Sequence, residues 1–205
     1  MSKTIAEIEA QRHRAKMEKR KAVQDAEVAE KTIEKGLLIV HTGSGKGKST
    51  AAFGLALRML GRGKRVGVVQ FVKGAWHTAE RDALATFGDQ VVWHTMGEGF
   101  TWETQDLKRD IAAAERAWAK SQELMADPSF GLVILDELNI ALRYDYLNLA
   151  TVVAALTSRR PALHVVVTGR NAKPELIAAA DLVTEMTLVK HHFAAGVKAQ
   201  PGIEF

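Results

Sequence analysis

The stretch LLIVHTGSGKGKSTAAFGLALRML, residues 37–60, decides the fold of this chain. It begins with four apolar residues, Leu37 to Val40, which predict a short buried strand. A loop with glycine at alternate positions follows, and the residues from Ser49 to Leu60 predict a helix. A strand, a glycine-rich turn and a helix that opens on Gly-Lys-Ser form the context in which a phosphate-binding loop works. The stretch therefore predicts a site for a phosphorylated ligand.

The residues of this loop suit an anion and a hard metal ion. Its three glycines let backbone N–H groups curl around an anion, and the helix N-terminus adds partial positive charge. Lys48 can reach phosphate oxygens, and the Ser49 hydroxyl can bind Mg²⁺. Thr42 stands where the general pattern has glycine, and the alternative is a flexible basic loop. The predicted nucleotide-binding residues here are Thr42, Gly43, Ser44, Gly45, Lys46, Gly47, Lys48, Ser49 and Thr50.

The composition is that of a globular protein. The 205 residues are 47% hydrophobic, include no cysteine and carry a net charge of +4. A disulfide framework and a thiolate metal site are therefore excluded. The apolar runs are strand-sized and the N-terminus lacks an apolar signal core, so we expect a cytoplasmic protein with no membrane partner. A polyphosphate nucleotide explains the small positive excess as well as nucleic acid does, and we predict no nucleic-acid partner.

Residues 1–34 differ from the rest of the chain. They are rich in Lys, Arg, Glu and Ala, contain no Gly, Pro or aromatic residue, and include only sparse apolar residues. Such a segment supports a solvated helix without a core of its own. We predict an N-terminal arm over 1–34, helical or partly disordered, and a nucleotide-binding domain over 35–205. The arm either orders against a ligand or a partner subunit, or is a frayed tail.

From residue 35 onward, strand-like segments alternate with helical ones. The predicted strands are 37–40, 66–71, 90–94, 132–135, 163–168 and 182–188, and the predicted helices are 49–60, 78–87, 103–126, 147–156 and 174–180. Continuous apolar strands between helices predict an α/β fold, a mostly parallel sheet flanked by helices, of the RecA-like P-loop kind. Because parallel sheets bind ligands at the carboxyl ends of their strands, each strand-to-helix junction is a candidate part of the site.

Asp136 and Glu137 directly follow the most apolar of these strands. An acidic pair at this position can hold Mg²⁺, or Mn²⁺, directly or through water, opposite Ser49. The alternative is a helix N-cap that completes a turn. We predict Ser49, Asp136 and Glu137 as metal-binding residues, and Glu137 also as a catalytic candidate.

Other side chains are less clearly assigned by their spacing. Arg58, Arg170 and Lys190 are predicted to contact the nucleotide, although Arg58 lies far along its helix and could face solvent instead. The adjacent residues His191 and His192 lack the HxxxH spacing of a metal site, so no metal is expected there.

Two aromatic residues stand in a glycine-flanked loop, Phe100 and Trp102. Loops are usually exposed, and exposed aromatic side chains call for an explanation. The pair either covers a flat apolar ligand or folds beneath the loop as a small satellite cluster. The sequence contains neither a nucleophile-elbow triad nor an H-E-x-x-H zinc helix. The chemistry therefore rests on a nucleotide, a metal and whatever this loop covers.

Together these motifs resemble the P-loop class of ATP:corrinoid adenosyltransferases, which make adenosylcobalamin. The matching stretches are TGSGKGKSTAAFG at 42–54, VGVVQFVKG at 66–74, GFTWETQ at 99–105, LDEL at 135–138, YDYL at 144–147, VTGR at 167–170, VKH at 189–191 and GVKAQ at 196–200. The loop form with Thr42 is itself a trait of this family, and the FTWETQ motif is highly specific. One departure is Ala194, where the family usually has Asp.

The resemblance implies a reaction. In this family, the 5′-deoxyadenosyl group of ATP is transferred to the Co(I) centre of a corrinoid, and triphosphate leaves. Because Co(I) is a strong nucleophile, no protein nucleophile is needed. The protein positions the substrates and stabilises charge on the triphosphate, a task suited to Lys48, the loop N–H groups and Mg²⁺. Aromatic residues of the kind at Phe100 and Trp102 are understood to displace the lower axial ligand, which makes Co(II) easier to reduce.

The resemblance also implies partners. It implies a homodimer, a reductase that takes cobalt from Co(II) to Co(I), and an N-terminal arm that covers the corrinoid. Two other classes of function are compatible with the residues alone. One is a RecA-like ATPase motor, in which Asp136 and Glu137 polarise a hydrolytic water, and the other is a nucleotide-dependent binding module. Neither of these requires the loop that carries Phe100 and Trp102.

Overall fold

The computed structural model describes residues 4–72, 78–96 and 106–204. The chain divides into two compact units, Met1–Glu34 and Lys35–Phe205. The first contains one helix, α1 (Ile5–Ala29), none of whose residues is buried. Thr4 begins it with a capping box, in which Thr4 Oγ1 accepts a hydrogen bond from Glu7 N (3.3 Å) and Glu7 Oε2 accepts one from Thr4 N (2.7 Å). These reciprocal bonds satisfy two backbone groups that a helix start leaves without a partner.

The second unit is built on six parallel strands. The strands are β1 (Leu38–Thr42), β2 (Arg65–Gln70), β3 (Val91–Thr95), β4 (Phe130–Asp136), β5 (His164–Thr168) and β6 (Leu182–Glu185). Their order in the sheet is β3-β2-β4-β5-β1-β6, and every pairing is parallel. The prediction of an α/β fold with a parallel sheet is confirmed. All six strands therefore end at the same edge, which we call the carboxyl edge.

Helices and short turns connect these strands. The helices are α2 (Lys48–Leu60), α3 (Ala79–Ala85), α4 (Leu107–Ala126), α5 (Leu138–Arg143), α6 (Leu149–Thr157) and α7 (Pro174–Ala179), and the 3₁₀ turns are Gly88–Gln90 and His192–Ala195. None of the helices in the described ranges combines the length and hydrophobicity that crossing a bilayer requires.

Several elements differ from the sequence prediction. β1 continues beyond Val40 because Met186 N donates to Thr42 O (2.9 Å), which extends its pairing with β6. β6 ends at Glu185 instead of residue 188, since the next carbonyl, that of Met186, accepts from Gly45 N in the phosphate loop (2.6 Å). α5 was not predicted, because its six residues are too few to establish a helical period. The predicted aromatic loop and the predicted first turn of the helix from residue 103 fall on residues 97–105, which lie outside the described ranges.

Both faces of the sheet are buried at its central strands, whereas the edge strand β6 is exposed. In β4, Leu132 and Ile134 pack on the face covered by α2, together with Phe53. The alternate residues Val133 and Leu135 pack on the opposite face, against residues of α4, α5, α6 and α7. Because successive side chains of a strand point to opposite faces, two-sided burial requires an unbroken apolar run. This explains why the strands were recognisable in the sequence.

Asp181 joins the start of β6 to the amino ends of its neighbours. Its Oδ2 accepts a hydrogen bond from Leu38 N (2.9 Å) and lies 3.3 Å from Arg159 Nη2, and its Oδ1 accepts one from Lys35 Nζ. The hydrogen bond from Lys35, followed by that from Leu38, holds the pKa of the Asp181 carboxyl below its ordinary value of 3.8, and its partial burial opposes this only in part. The ionised carboxylate therefore stabilises the fold.

We expect Asp181→Asn to lower the free energy of unfolding by about 1 kcal/mol at neutral pH, since it removes the charge but keeps the shape. The pKa of the Asp181 carboxyl is lower in the folded protein than in the unfolded chain. The stabilisation is therefore fully present above the pKa of the unfolded chain, and it is lost as the pH falls through the pKa of the folded protein. Denaturant unfolding should therefore show a difference at neutral pH that vanishes in acid. Asp25→Asn is the matched control, because Asp25 pairs with Lys21 on exposed α1. A difference that persists in acid would contradict this account.

Candidate functional site

The phosphate loop lies at the carboxyl edge, between β1 and α2. Gly43 and Gly47 have φ of 97° and 104°, which favour glycine. A Cβ on Gly43 would lie 2.4 Å from Met186 O, and one on Gly45 would lie 2.6 Å from Thr187 O. The loop therefore packs directly against the segment that follows β6. Glycine is required at Gly43 for both reasons, at Gly45 for the close approach and at Gly47 for the backbone conformation.

Thr42 is the last residue of β1, and its side chain explains why glycine is not needed there. Its Oγ1 accepts a hydrogen bond from Ala172 N (3.0 Å), which fixes the segment that follows β5. The neighbouring His41 is also buried, and its Nδ1 lies 3.2 Å from Lys48 O. Both side chains hold the entry and exit of the loop.

Lys48 points into the loop that precedes it. It is only 7% exposed, and its Nζ donates to Gly43 O (3.0 Å) and to Gly45 O. Those two carbonyls belong to the same turn as the glycine N–H groups. The ammonium therefore lies where the oxygens of a bound phosphate would meet it.

The charges around Lys48 favour an anionic ligand. Burial lowers the pKa of its ammonium below the ordinary value of 10.5; Glu137 acts in the opposite direction, and the positive charges of Arg170 and Lys46 lower it further. Three cationic groups thus converge with one carboxylate. A polyphosphate would relieve the repulsion among these cations, because it brings several negative charges to them.

Asp136 joins several elements at this edge. It is fully buried, and its Oδ1 accepts hydrogen bonds from Ser49 Oγ (2.7 Å) and from Thr168 Oγ1 (2.8 Å). Its Oδ2 accepts one from Gln70 Nε2 (3.0 Å). The first turn of α2 and the ends of β2, β4 and β5 therefore meet at one carboxylate. A hydroxyl and a carboxylate in contact form the oxygen donor set that Mg²⁺ prefers, so the residues present fit this ion.

Gln70 was not identified from the sequence. Its Oε1 accepts hydrogen bonds from Trp93 Nε1 (3.1 Å) and Thr95 Oγ1 (3.2 Å) on β3, which fixes the direction of its amide. The available signal was an amide at the end of an otherwise apolar strand. Gln70 is 2% exposed, so a buried polar residue there needed partners on the neighbouring strands.

Glu137 has a left-handed backbone with φ 64°, which is rare for a residue other than Gly, Asn or Asp. Its N–H donates to Thr168 Oγ1 (2.9 Å), and a Cβ on Gly169 would lie 3.0 Å from Glu137 Oε2. Glu137 does occupy the N-cap of α5, but its side chain makes no capping hydrogen bond. The strained backbone turns the carboxylate towards the loop after β5. Such outliers cluster at functional sites.

Asn139 lies in the first turn of α5. Its Nδ2 donates to Gly169 O (2.9 Å), whereas its buried Oδ1 has no hydrogen-bond partner among the described residues. A buried acceptor without a partner is costly, so this oxygen is a candidate contact for a ligand.

Several of the residues predicted to contact the nucleotide are exposed to solvent. Ser44, Lys46, Thr50 and Arg170 are exposed around the loop, and Lys190 is exposed in the segment after β6.

Arg58 lies near the other end of α2, about 15 Å along the helix from Lys48 at 1.5 Å per residue. There it lines a cavity with Leu37 and His164, at the amino ends of the strands. The structure thus separates Arg58 from the phosphate loop. Phe100 and Trp102 lie outside the described residues.

Comparison with known proteins gives matches over nearly the whole chain. The profile of the family described as "ATP:corrinoid adenosyltransferase BtuR/CobO/CobP" matches residues 34–205, and that of "Cob(I)alamin adenosyltransferase N terminal" matches residues 5–28. A corrinoid adenosyltransferase of Pseudomonas aeruginosa is 58% identical over 195 residues, which cover 95% of this chain and 96% of that protein. One from Sinorhizobium sp is 55% identical, with coverage of 98% and 94%. The corrinoid adenosyltransferase CobA of Salmonella typhimurium is 46% identical, with coverage of 95% and 98%.

Proposed function

The chain belongs to the ATP:corrinoid adenosyltransferase family, and we propose that the phosphate-loop site carries out the family reaction. The enzyme transfers the 5′-deoxyadenosyl group of ATP to the cobalt of a corrinoid, as part of adenosylcobalamin synthesis or salvage. The geometric observation that carries the proposed site is the buried Lys48 ammonium. It lies on the same helical turn as Ser49, whose hydroxyl contacts Asp136.

The proposed reaction is a displacement at carbon. The electron pair of Co(I) forms the Co–C5′ bond while the C5′–O bond breaks, and the electrons of that bond leave with triphosphate. Charge therefore develops on the leaving group, and donors aimed at it lower the barrier. Lys48 and the N–H groups of the loop are suited to this role. Because the nucleophile belongs to the substrate, the site needs no activated Ser or Cys.

We also propose that Mg²⁺, or Mn²⁺, accompanies the nucleotide. Ser49 and Asp136 would hold it, with Glu137 nearby, because hydroxyl and carboxylate oxygens are hard ligands. When bound, such a cation neutralises charge on a polyphosphate. The protein contributes the fixed position of Asp136, whose remaining hydrogen bonds come from Thr168 and Gln70. A homodimer and a reductase that supplies the electron for Co(II) belong to the same proposal.

The function is tested by following the fate of ATP. Purified protein is incubated anaerobically with ATP, Mg²⁺ and a panel of chemically reduced corrinoids: cobyrinic acid diamide, cobinamide and cobalamin. We expect triphosphate to appear together with the absorption spectrum of a Co–C product, and only when a corrinoid is present. ADP and phosphate released without corrinoid would instead identify an ATPase motor, and ATP binding without turnover would identify a binding module.

Trp102 provides a test of the proposed aromatic role. Since the proposal assigns Trp102 to displacing the lower axial ligand of Co(II), Trp102→Ala should impair the route that starts from cob(II)alamin with a reductase. It should spare transfer to cobalamin already reduced to Co(I). We expect the losses on the two routes to differ by about tenfold, or about 1.4 kcal/mol. Trp118→Phe, a change in buried α4, is the control for general damage to the fold. Equal losses on both routes would count against this role.

The arm is proposed to contribute to corrinoid binding. Its residues 5–28 match the N-terminal profile of cob(I)alamin adenosyltransferases, and its helix buries no residue. An exposed helix with sparse apolar residues is suited to pack against a ligand or partner. Removal of residues 1–30 should raise KM for the corrinoid while KM for ATP changes little. An unchanged corrinoid KM in steady-state kinetics would show that the arm is only a tail.

A further inference from the structure

The segment after β6 gathers three potential metal ligands that the reaction does not use. His191 and His192 begin a 3₁₀ turn, His192–Ala195, and Glu204 returns to them from the end of the described chain. One ligand atom from each of the three side chains lies within 4.8 Å of the others. Among the residues that the structure describes, these three have side chains close enough together to bind one metal ion.

The two imidazoles are held side by side. Their rings stack with centroids 4.8 Å apart and planes inclined by 24°. His191 Nδ1 accepts a hydrogen bond from Phe193 N (3.1 Å), which leaves Nε2 as the nitrogen for a ligand. Adjacent histidines in an extended strand would point in opposite directions, but the chain turns at His192. The argument from sequence spacing against a metal therefore does not apply to His191 and His192.

Glu204 completes the group with one oxygen. Its Oε2 accepts a hydrogen bond from Lys46 Nζ (2.8 Å), while Oε1 lies 3.1 Å from His192 Nε2. That Oε1 is shielded from solvent and has no hydrogen-bond partner among the residues described. One oxygen is thus oriented by Lys46, and the other faces the histidines without a hydrogen bond from any described residue.

We infer that His191, His192 and Glu204 form a binding site for a borderline transition-metal dication such as Zn²⁺. Two imidazoles and one carboxylate are a known set of three protein ligands for this ion, with the fourth position left to water. The set differs in kind from the oxygen ligands Ser49 and Asp136, which suit Mg²⁺. Lys46, which donates to the other oxygen of Glu204, would fix the orientation of the ligating carboxylate. The site is thus separate from the nucleotide's cation, although it adjoins the phosphate loop.

Metal binding is measured on the full chain without a histidine tag. Zn²⁺ is titrated in competition with a chromogenic chelator, in excess Mg²⁺ and without nucleotide, so that hard oxygen sites are already occupied. We expect one equivalent of Zn²⁺ to bind and to raise the midpoint of thermal unfolding, since a ligand that binds only the folded state stabilises it. Co²⁺ in place of Zn²⁺ should give the intense visible absorption of a four-coordinate site with nitrogen ligands.

The ligands are tested one at a time. His192→Ala and Glu204→Gln should each weaken Zn²⁺ binding by about tenfold or more, because even the loss of a residue that only orients a ligand costs that much. His13→Ala, which removes an exposed histidine of α1, should bind Zn²⁺ as the unaltered protein does. Unfolding without metal shows whether each variant is folded. Failure of the unaltered protein to bind Zn²⁺, or equal binding by folded His192→Ala and Glu204→Gln, would overturn the inference.

Discussion

Lys48→Ala is expected to lower kcat/KM for adenosyl transfer by about 100-fold or more, the usual cost of removing one preorganised donor from a developing charge. The reason is positional as well as electrostatic. The Lys48 ammonium is buried in the phosphate loop, where the carbonyls of Gly43 and Gly45 hold it. Alanine removes the only atoms of this side chain that can reach a phosphate.

The measurement is anaerobic transfer to chemically reduced cobalamin at saturating and at low ATP. Because Lys48 is assigned to the departing triphosphate, kcat should fall as well as kcat/KM; a rise in KM alone would mean that Lys48 binds the ground state and the transition state equally. Lys64→Ala is the matched control, since Lys64 is exposed beyond the far end of α2. A Lys48→Ala enzyme with near-normal kcat would refute the assigned role.

Asp136→Asn is expected to reduce transfer by about 10- to 100-fold at a fixed Mg²⁺ concentration, as the loss of a metal-site partner does in other enzymes. Asparagine keeps the shape of aspartate but removes the charge and replaces one acceptor with a donor. The amide oxygen of the asparagine would face Gln70 Nε2, because Trp93 and Thr95 hold the Gln70 amide in its present direction. Its NH2 group would then face the Ser49 and Thr168 hydroxyls, which lose the charged acceptor to which they now donate, at a cost of about 1–3 kcal/mol of stability.

A titration with Mg²⁺ separates these two consequences. If Asp136 helps to hold the cation, the variant needs a higher Mg²⁺ concentration for half-maximal rate, and excess Mg²⁺ restores part of the activity. Lys48→Ala should not shift that midpoint. Asp89→Asn, an exposed carboxylate that precedes β3, controls for the loss of one negative charge. An unshifted midpoint with a normal rate would remove Asp136 from the metal site.

The sequence predicted secondary structure best where the residues concerned are neighbours in the chain. The strand, loop and helix of residues 37–60 are contiguous, so composition and spacing identified them. The apolar run of β4 marked Asp136 as the end of a strand, and parallel pairing then placed Asp136 beside the phosphate loop. Local pattern sufficed here because backbone hydrogen bonding and two-sided burial leave periodic signatures in the sequence.

The residues missed are those whose roles depend on partners far away in the chain. Gln70 became recognisable only when β2 was seen between β3 and β4, with Trp93 on one side and Asp136 on the other. Glu137 was predicted as a site residue and stays a prediction, but its left-handed backbone, whose N–H donates to Thr168 Oγ1, was not visible in the sequence. Neither arrangement leaves a periodic pattern in the sequence, because both depend on the order and register of the strands.

By itself, the sequence determined that this chain has a parallel α/β domain with a phosphate loop, and its motifs matched a family of corrinoid adenosyltransferases. Only the tertiary structure decided which side chains meet Asp136, that Arg58 lies at the far end of its helix, and that Glu204 reaches Lys46 and the two histidines. The physical reason is range. Secondary structure is encoded by residues a few positions apart, whereas side-chain contacts at the carboxyl edge join segments separated by tens of residues, and packing alone fixes which of them meet.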